Sequence, residues 1–199
     1  MAACTPGSLA ALAGTSLASS TGVVRVLVNG TGAPVIRASS QQVDFVCPQL
    51  PPGTPLTVSL EAGNRSSNEL RTVMEKTAPG LFLLDNSGGG LGLILHARGL
   101  AALPRFDRAG MPASAGDAIT LFATGVNCDE SRGAPQPLLY IGHAYQQVAI
   151  LPSSFAGVCE VHAVVPTGLL GSEVRLVLEA VRDDGTPVRS NQILMAIEN

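Results

Sequence analysis

Apolar and polar residues alternate along this chain with a period of two. Val24, Val26 and Val28 alternate with Arg25 and Leu27; Val43, Phe45 and Cys47 alternate with Gln42, Asp44 and Val46; Leu56, Val58 and Leu60 alternate with Thr57, Ser59 and Glu61. Successive strand residues point to opposite faces, so each run predicts a half-buried β-strand with one core-facing set. Nowhere do apolar residues recur at helical spacing over a long run. Pro48, Pro51, Pro52 and Pro55 end the Gln42–Cys47 strand and bar a helix after it. Asn29-Gly30 reads as a hairpin turn. Roughly six or seven such strands separated by turns predict a sandwich.

The pattern occurs twice. Residues 5–18 (TPGSLAALAGTSLA) and 114–127 (SAGDAITLFATGVN) each open on a glycine turn, continue as an apolar run and close on a Gly/Thr/Ser step. The segments after each copy also correspond. Residues 138–142 answer 26–30, 147–152 answer the strand at 34–37, and 159–166 answer 41–48. Ser67-Asn68 returns as Ser190-Asn191. Before its copy, the second unit adds an apolar segment at 78–84, a glycine-rich turn at 86–90 and a strand at 91–96. A long loop at 98–114 comes next, carrying Arg98, Arg105, Phe106, Arg108 and Met111. Loops of that length commonly bind a partner or cover a neighbouring domain. The reading is all-β, two tandem β-sandwiches, with domains at 1–76 and 77–199.

Composition agrees with buried strands: 46% of residues are hydrophobic and only 14% charged. The net charge of −3 comes from eleven arginines and the single Lys76 against fifteen acids. Neither half carries the concentrated basic face that nucleic acid or an anionic membrane surface attracts. Uninterrupted apolar stretches fall well short of the ~18 residues a membrane span needs. Residues 8–18 resemble the apolar part of a signal peptide. No basic residue precedes them, since the first is Arg25, and they match the internal strand at 117–126. They are expected to be structure, and Met1 to be a start placed on a piece of a longer protein.

Candidate chemistry is sparse. There is no G-x-S-x-G elbow, H-E-x-x-H pair or Walker lysine. No helix is expected after the glycines at 88–92, which read as a hairpin turn instead of a phosphate loop. His96, His143 and His162 are expected to be solvated surface residues, with His162 on the outer face beside Glu160 and Val164. The acidic pairs Asp129-Glu130 and Asp183-Asp184 fall in turns, where Asp favours the backbone geometry and calcium is the lesser reading. Asn29 and Asn64 head glycosylation sequons. Four cysteines without a C-x-x-C pair argue against zinc. No catalytic residue, metal ligand or cofactor is expected.

Several motifs share one order: Pro6-Gly7-Ser8, Val28-Asn29-Gly30, Gln42 to Pro48 (QVDFVCP), Ala78 to Phe82 (APGLF), Gly116 to Gly125 (GDAITLFATG), Val165-Pro166 and Ser190-Asn191. In this the chain resembles the tandem immunoglobulin-like region at the C-terminus of many secreted acidobacterial (Solibacter-type) proteins. The units of that region are similar to IPT/TIG domains. The resemblance implies two immunoglobulin-like sandwiches and an extracytoplasmic location, and supplies no catalytic residues. It also implies that the repeated strand pairs antiparallel with the strand ending in proline. That would bring Cys4 near Cys47 and Cys128 near Cys159, making a disulfide in each unit, with buried free thiols as the alternative. The two bonds would need registers about nine residues apart, so at least one cysteine must lie off regular strand. The implied role is a structural or adhesion module of a larger secreted or cell-surface protein. A carbohydrate-binding module is the alternative, disfavoured by the absence of tryptophan and by only two tyrosines, Tyr140 and Tyr145. The partner, protein or glycan, is not specified. A monomer with its two domains packed on each other is expected.

Overall fold

The alternating runs are strands in the computed structural model, which describes residues 3–18, 23–84, 90–101, 110–128, 136–182 and 184–198. The chain divides into two compact units, Met1–Ala78 with Phe155–Gly157, and Pro79–Ser154 with Val158–Asn199. The fold is all-β, of immunoglobulin-like sandwiches.

In the first unit lie β1 (Leu9–Ala13), β2 (Val24–Val28), β3 (Thr31–Ala33), β4 (Val35–Ala38), β5 (Gln42–Val46), β6 (Pro55–Ala62), β7 (Arg65–Ser66) and β8 (Leu70–Val73). One sheet runs β1-β5-β4; the other runs β3-β2-β6-β7, with β8 also on β6. Their inner faces are the apolar sets read from the sequence. Val43 and Phe45 from one sheet meet Val26, Val28, Leu56, Val58 and Leu60 from the other in a single core. Burying each of these side chains stabilises the sandwich by roughly 1.5–3 kcal/mol before entropy is counted.

The second unit comprises β9 (Gly80–Leu81), β10 (Ile94–His96), β11 (Gly99–Leu100), β12 (Ala113–Ser114), β13 (Ala118–Thr124), β14 (Leu138–Ile141), β15 (Ala144–Gln147), β16 (Ala149–Pro152), β17 (Cys159–Val164), β18 (Gly171–Val181), β19 (Pro187–Arg189) and β20 (Ile193–Glu198). Its sheets run β11-β10-β13-β17-β16, with β9 on β13, and β12-β20-β18-β14-β15, with β19 on β18. Leu121, Val161, Leu139, Ile141, Leu176 and Leu178 are fully buried between them.

The repeated stretch does the same work in both units, carrying the chain from one sheet to the other. In the first, Cys4 bridges in parallel to Met74, and β1 then joins β5 in the opposite sheet. In the second, β12 lies parallel to β20 before β13 joins β17. The crossing needs a tight turn with positive φ, provided by Gly7 at +68° and Gly116 at +87°. A short polar side chain three residues on secures it: the Thr5 N–H donates to Ser8 Oγ (3.2 Å) and the Ser114 N–H to Asp117 Oδ2 (2.8 Å). The Ser-Asn pair is a second shared device. Ser67 Oγ accepts the Leu60 N–H at 2.9 Å, and Ser190 Oγ accepts the Leu178 N–H at 3.0 Å.

Register corrects one correspondence. Val26 lies opposite Leu60, and Leu139 opposite Leu178. Val26 therefore answers Leu139 and Asn29 answers Gly142, one residue away from the alignment made on the glycines. Burial enforces the shift, because a one-residue slip would turn the apolar set outward. The loop at 98–114 is also not wholly loop: β11 and β12 occupy its ends, and Ala101 and Ala113 are buried.

Candidate functional site

Disulfides join Cys4 to Cys47 and Cys128 to Cys159, and no free cysteine stands among the described residues. Two local departures reconcile the bonds with the strand registers. The Cys47 N–H donates to the Ser8 carbonyl, so Cys4 stands four residues ahead of the β1–β5 ladder, beside Met74 in the other sheet. Cys159 lies opposite Ala123, so Cys128 stands five residues beyond the β13–β17 ladder. The first bond thus ties the two layers of its sandwich, and the second closes the end of a strand pair.

His96 is not solvated. The β10 alternation turns it inward, and its side chain is 1% exposed. Its Nε2 lies 3.0 Å from the Met111 carbonyl oxygen, and its Nδ1 lies 3.4 Å from Asp117 Oδ2 without hydrogen-bond alignment. Arg98 completes the group: one Nη2 donates to the Pro112 carbonyl (3.0 Å), Ser114 Oγ (2.9 Å) and Asp117 Oδ2 (3.2 Å). The Ser114 backbone N–H first, then Arg98, hold the Asp117 carboxyl below its ordinary range. This carboxylate–imidazole pair superficially suggests acid–base chemistry, but so buried a ring cannot reach a substrate. It braces the β10–β11 hairpin against the β12–β13 turn. Arg98, read from the sequence as a candidate for partner binding, is engaged by its own unit; Arg105, Phe106 and Arg108 lie outside the described residues.

Other polar candidates are also engaged locally. Asp184 Oδ1 accepts from the Thr186 hydroxyl (2.6 Å) and N–H (2.9 Å), which lowers its pKa and closes a turn. Asp129, Glu130 and Asp183 lie outside the described residues. The Asn29 amide spans Pro55 and Thr57. His162 sits on the outer face of β17, 3.2 Å from Glu160.

One outer sheet face gathers aromatic and charged groups. Gly142 and His143 form a two-residue turn, with Ile141 opposite Ala144 and Tyr140 opposite Tyr145. The tyrosine ring centroids are 5.8 Å apart, tilted by 41°. From β19, the Arg189 guanidinium lies over Tyr140, 5.1 Å from the ring centroid, and its Nε donates to Glu179 Oε2 at 2.7 Å. Glu179, on β18 opposite Arg189, also accepts from the Tyr140 hydroxyl at 3.3 Å. The Glu179 carboxylate raises the arginine pKa further. Tyr145 is 68% exposed. The pairing of the two tyrosines is written in the sequence, because a two-residue turn at 142–143 sets them opposite. Arg189 and Glu179 carried no signal of their own.

Among the described residues, no helix is long and apolar enough to cross a membrane, and no three His, Cys, Asp or Glu side chains are placed to hold a metal ion. The topology defines an immunoglobulin-like module. Within it, residues 2–73 match the IPT/TIG domain. Among solved structures, the chain is similar to the Bacteroides ovatus mixed-linkage glucan utilization locus protein SGBP-B, determined in complex with a mixed-linkage heptasaccharide. The identity is 14% and the TM-score 0.38, over 98% of this chain and 42% of that one. The chain thus spans less than half the length of that structure. No curated protein matches the sequence.

Proposed function

We propose that the chain is a non-catalytic extracellular or cell-surface module of a larger secreted bacterial protein, with immunoglobulin-like domains at 1–76 and 77–199 acting as a spacer or adhesion element. The observation that carries this reading is a disulfide in each unit. Cytosolic thiol systems keep such bonds reduced, whereas secreted and surface proteins retain them. The acid–base groups support the same reading, because Asp117, His96 and Asp184 serve turns and braces instead of an open cleft. Motifs resembling those of secreted acidobacterial proteins support the source.

A second reading, a carbohydrate-binding module attached to a secreted enzyme, is favoured by one observation: Tyr140 and Tyr145 pair on a solvent-facing hairpin.

Surface location is testable in intact cells of the source organism. An antibody to this region labels them without permeabilisation, and externally added protease removes the label. Labelling only after lysis would refute the proposal.

A further inference from the structure

We infer that the outer face of β15-β14-β18-β19 is a binding platform for an uncharged polysaccharide built of pyranose rings. The inference rests on the carbohydrate-binding reading and names where and what that module binds.

The shape of the face suits such a chain. Tyr145, Tyr140, Glu179 and Arg189 come from four strands that lie side by side. The Tyr145 and Tyr140 ring centroids are 5.8 Å apart and the Arg189 guanidinium lies 5.1 Å from the Tyr140 ring, so the flat groups follow one another closely across the face. Tyr145 offers an open aromatic ring at one end. Beside it the guanidinium of Arg189, seated over Tyr140, offers a second flat surface. A pyranose ring presents a face of C–H groups that stacks on such planes, while its hydroxyls project around the rim.

Charge complementarity selects a neutral ligand. Arg189 is held by Glu179, and Glu179 by Arg189 and the Tyr140 hydroxyl. Arg189 and Glu179 therefore present fixed hydrogen-bonding groups whose charges cancel each other. A phosphate or an acidic chain would have to displace the Glu179 carboxylate from the arginine. An uncharged hydroxylated chain does not, and can share the remaining N–H groups and the second lone pairs of the carboxylate. Gln147, outward on β15 beyond Tyr145, adds an amide able to donate and accept.

The platform is also pre-organised. The ion pair and the stacking already fix the arginine, which otherwise loses side-chain freedom when it binds.

The test is affinity electrophoresis of the whole chain through gels containing xylan, galactomannan or hydroxyethyl cellulose, with polygalacturonate as the acidic control. Retardation by at least one neutral polymer is expected, insensitive to salt. Tyr145→Ala weakens it by about ten-fold, the scale of losing one aromatic contact. Tyr145→Phe keeps it, because stacking and not the hydroxyl carries the contact. Arg189→Ala weakens it as well, and His162→Ala on the other sheet leaves it unchanged. Equal melting temperatures for the variants separate lost binding from lost folding. Retention that survives Tyr145→Ala and Arg189→Ala would overturn this site while leaving the carbohydrate reading standing. No retardation by any neutral polymer would end both. Salt-sensitive retardation by polygalacturonate alone would overturn the uncharged ligand.

Discussion

With Cys4 and Cys47 both replaced by alanine, the first sandwich loses about 4 kcal/mol of unfolding free energy. The bond closes a 43-residue separation, and the loop entropy it removes from the unfolded chain gives that figure. The same estimate for the 31-residue separation of Cys128 and Cys159 is slightly smaller, also near 4 kcal/mol. The consequence differs between the units because their cores differ. Among the described residues, thirteen buried apolar side chains make the first core and twenty-two the second. Small domains have little stability to spare, so the same loss takes a larger share of it. In calorimetry, the transition of the first unit falls by roughly 15–30 °C, since each kcal/mol shifts a domain of this size by several degrees. An unchanged transition would mean that the bond contributes nothing to this fold.

Phe45→Ala is the second large effect, at about 3–5 kcal/mol. Phe45 is fully buried on β5, opposite Ala10 of β1 on one side and Val35 of β4 on the other. Truncation removes the largest side chain of a small core, and the sheets on either side cannot close the space. Phe45→Leu refills most of the volume and costs about 1–1.5 kcal/mol. Urea denaturation followed by far-ultraviolet circular dichroism measures both. A loss below about 1 kcal/mol for the alanine variant would place Phe45 outside the core.

Phe45 was legible in the sequence for a simple reason: strands with one buried face write their core as every second residue, whereas the pairing of Cys4 with Cys47 came only from the family resemblance. The repeated glycine turn was legible too, because Thr5, Gly7 and Ser8 recur in kind as Ser114, Gly116 and Asp117, and a sheet crossing needs those residue types. Other features depend on distant partners and left no local trace. His96 looks like an outward polar residue until β13 and the Met111 carbonyl enclose it. The strands β11 and β12 are two residues each, too short for any period to show. The tyrosine hairpin could have been paired from its turn alone. Bringing Arg189 and Glu179 to it requires the β18–β19 register, which only the fold supplies.

Oxidised cysteine pairing carries the proposed location outside the cytoplasm, and one measurement reaches it directly. The protein is alkylated in denaturant without reductant, then cleaved and analysed by mass spectrometry. The expected result is no added alkyl group and two cross-linked peptides, joining Cys4 to Cys47 and Cys128 to Cys159. Alkylation of all four cysteines would contradict the account.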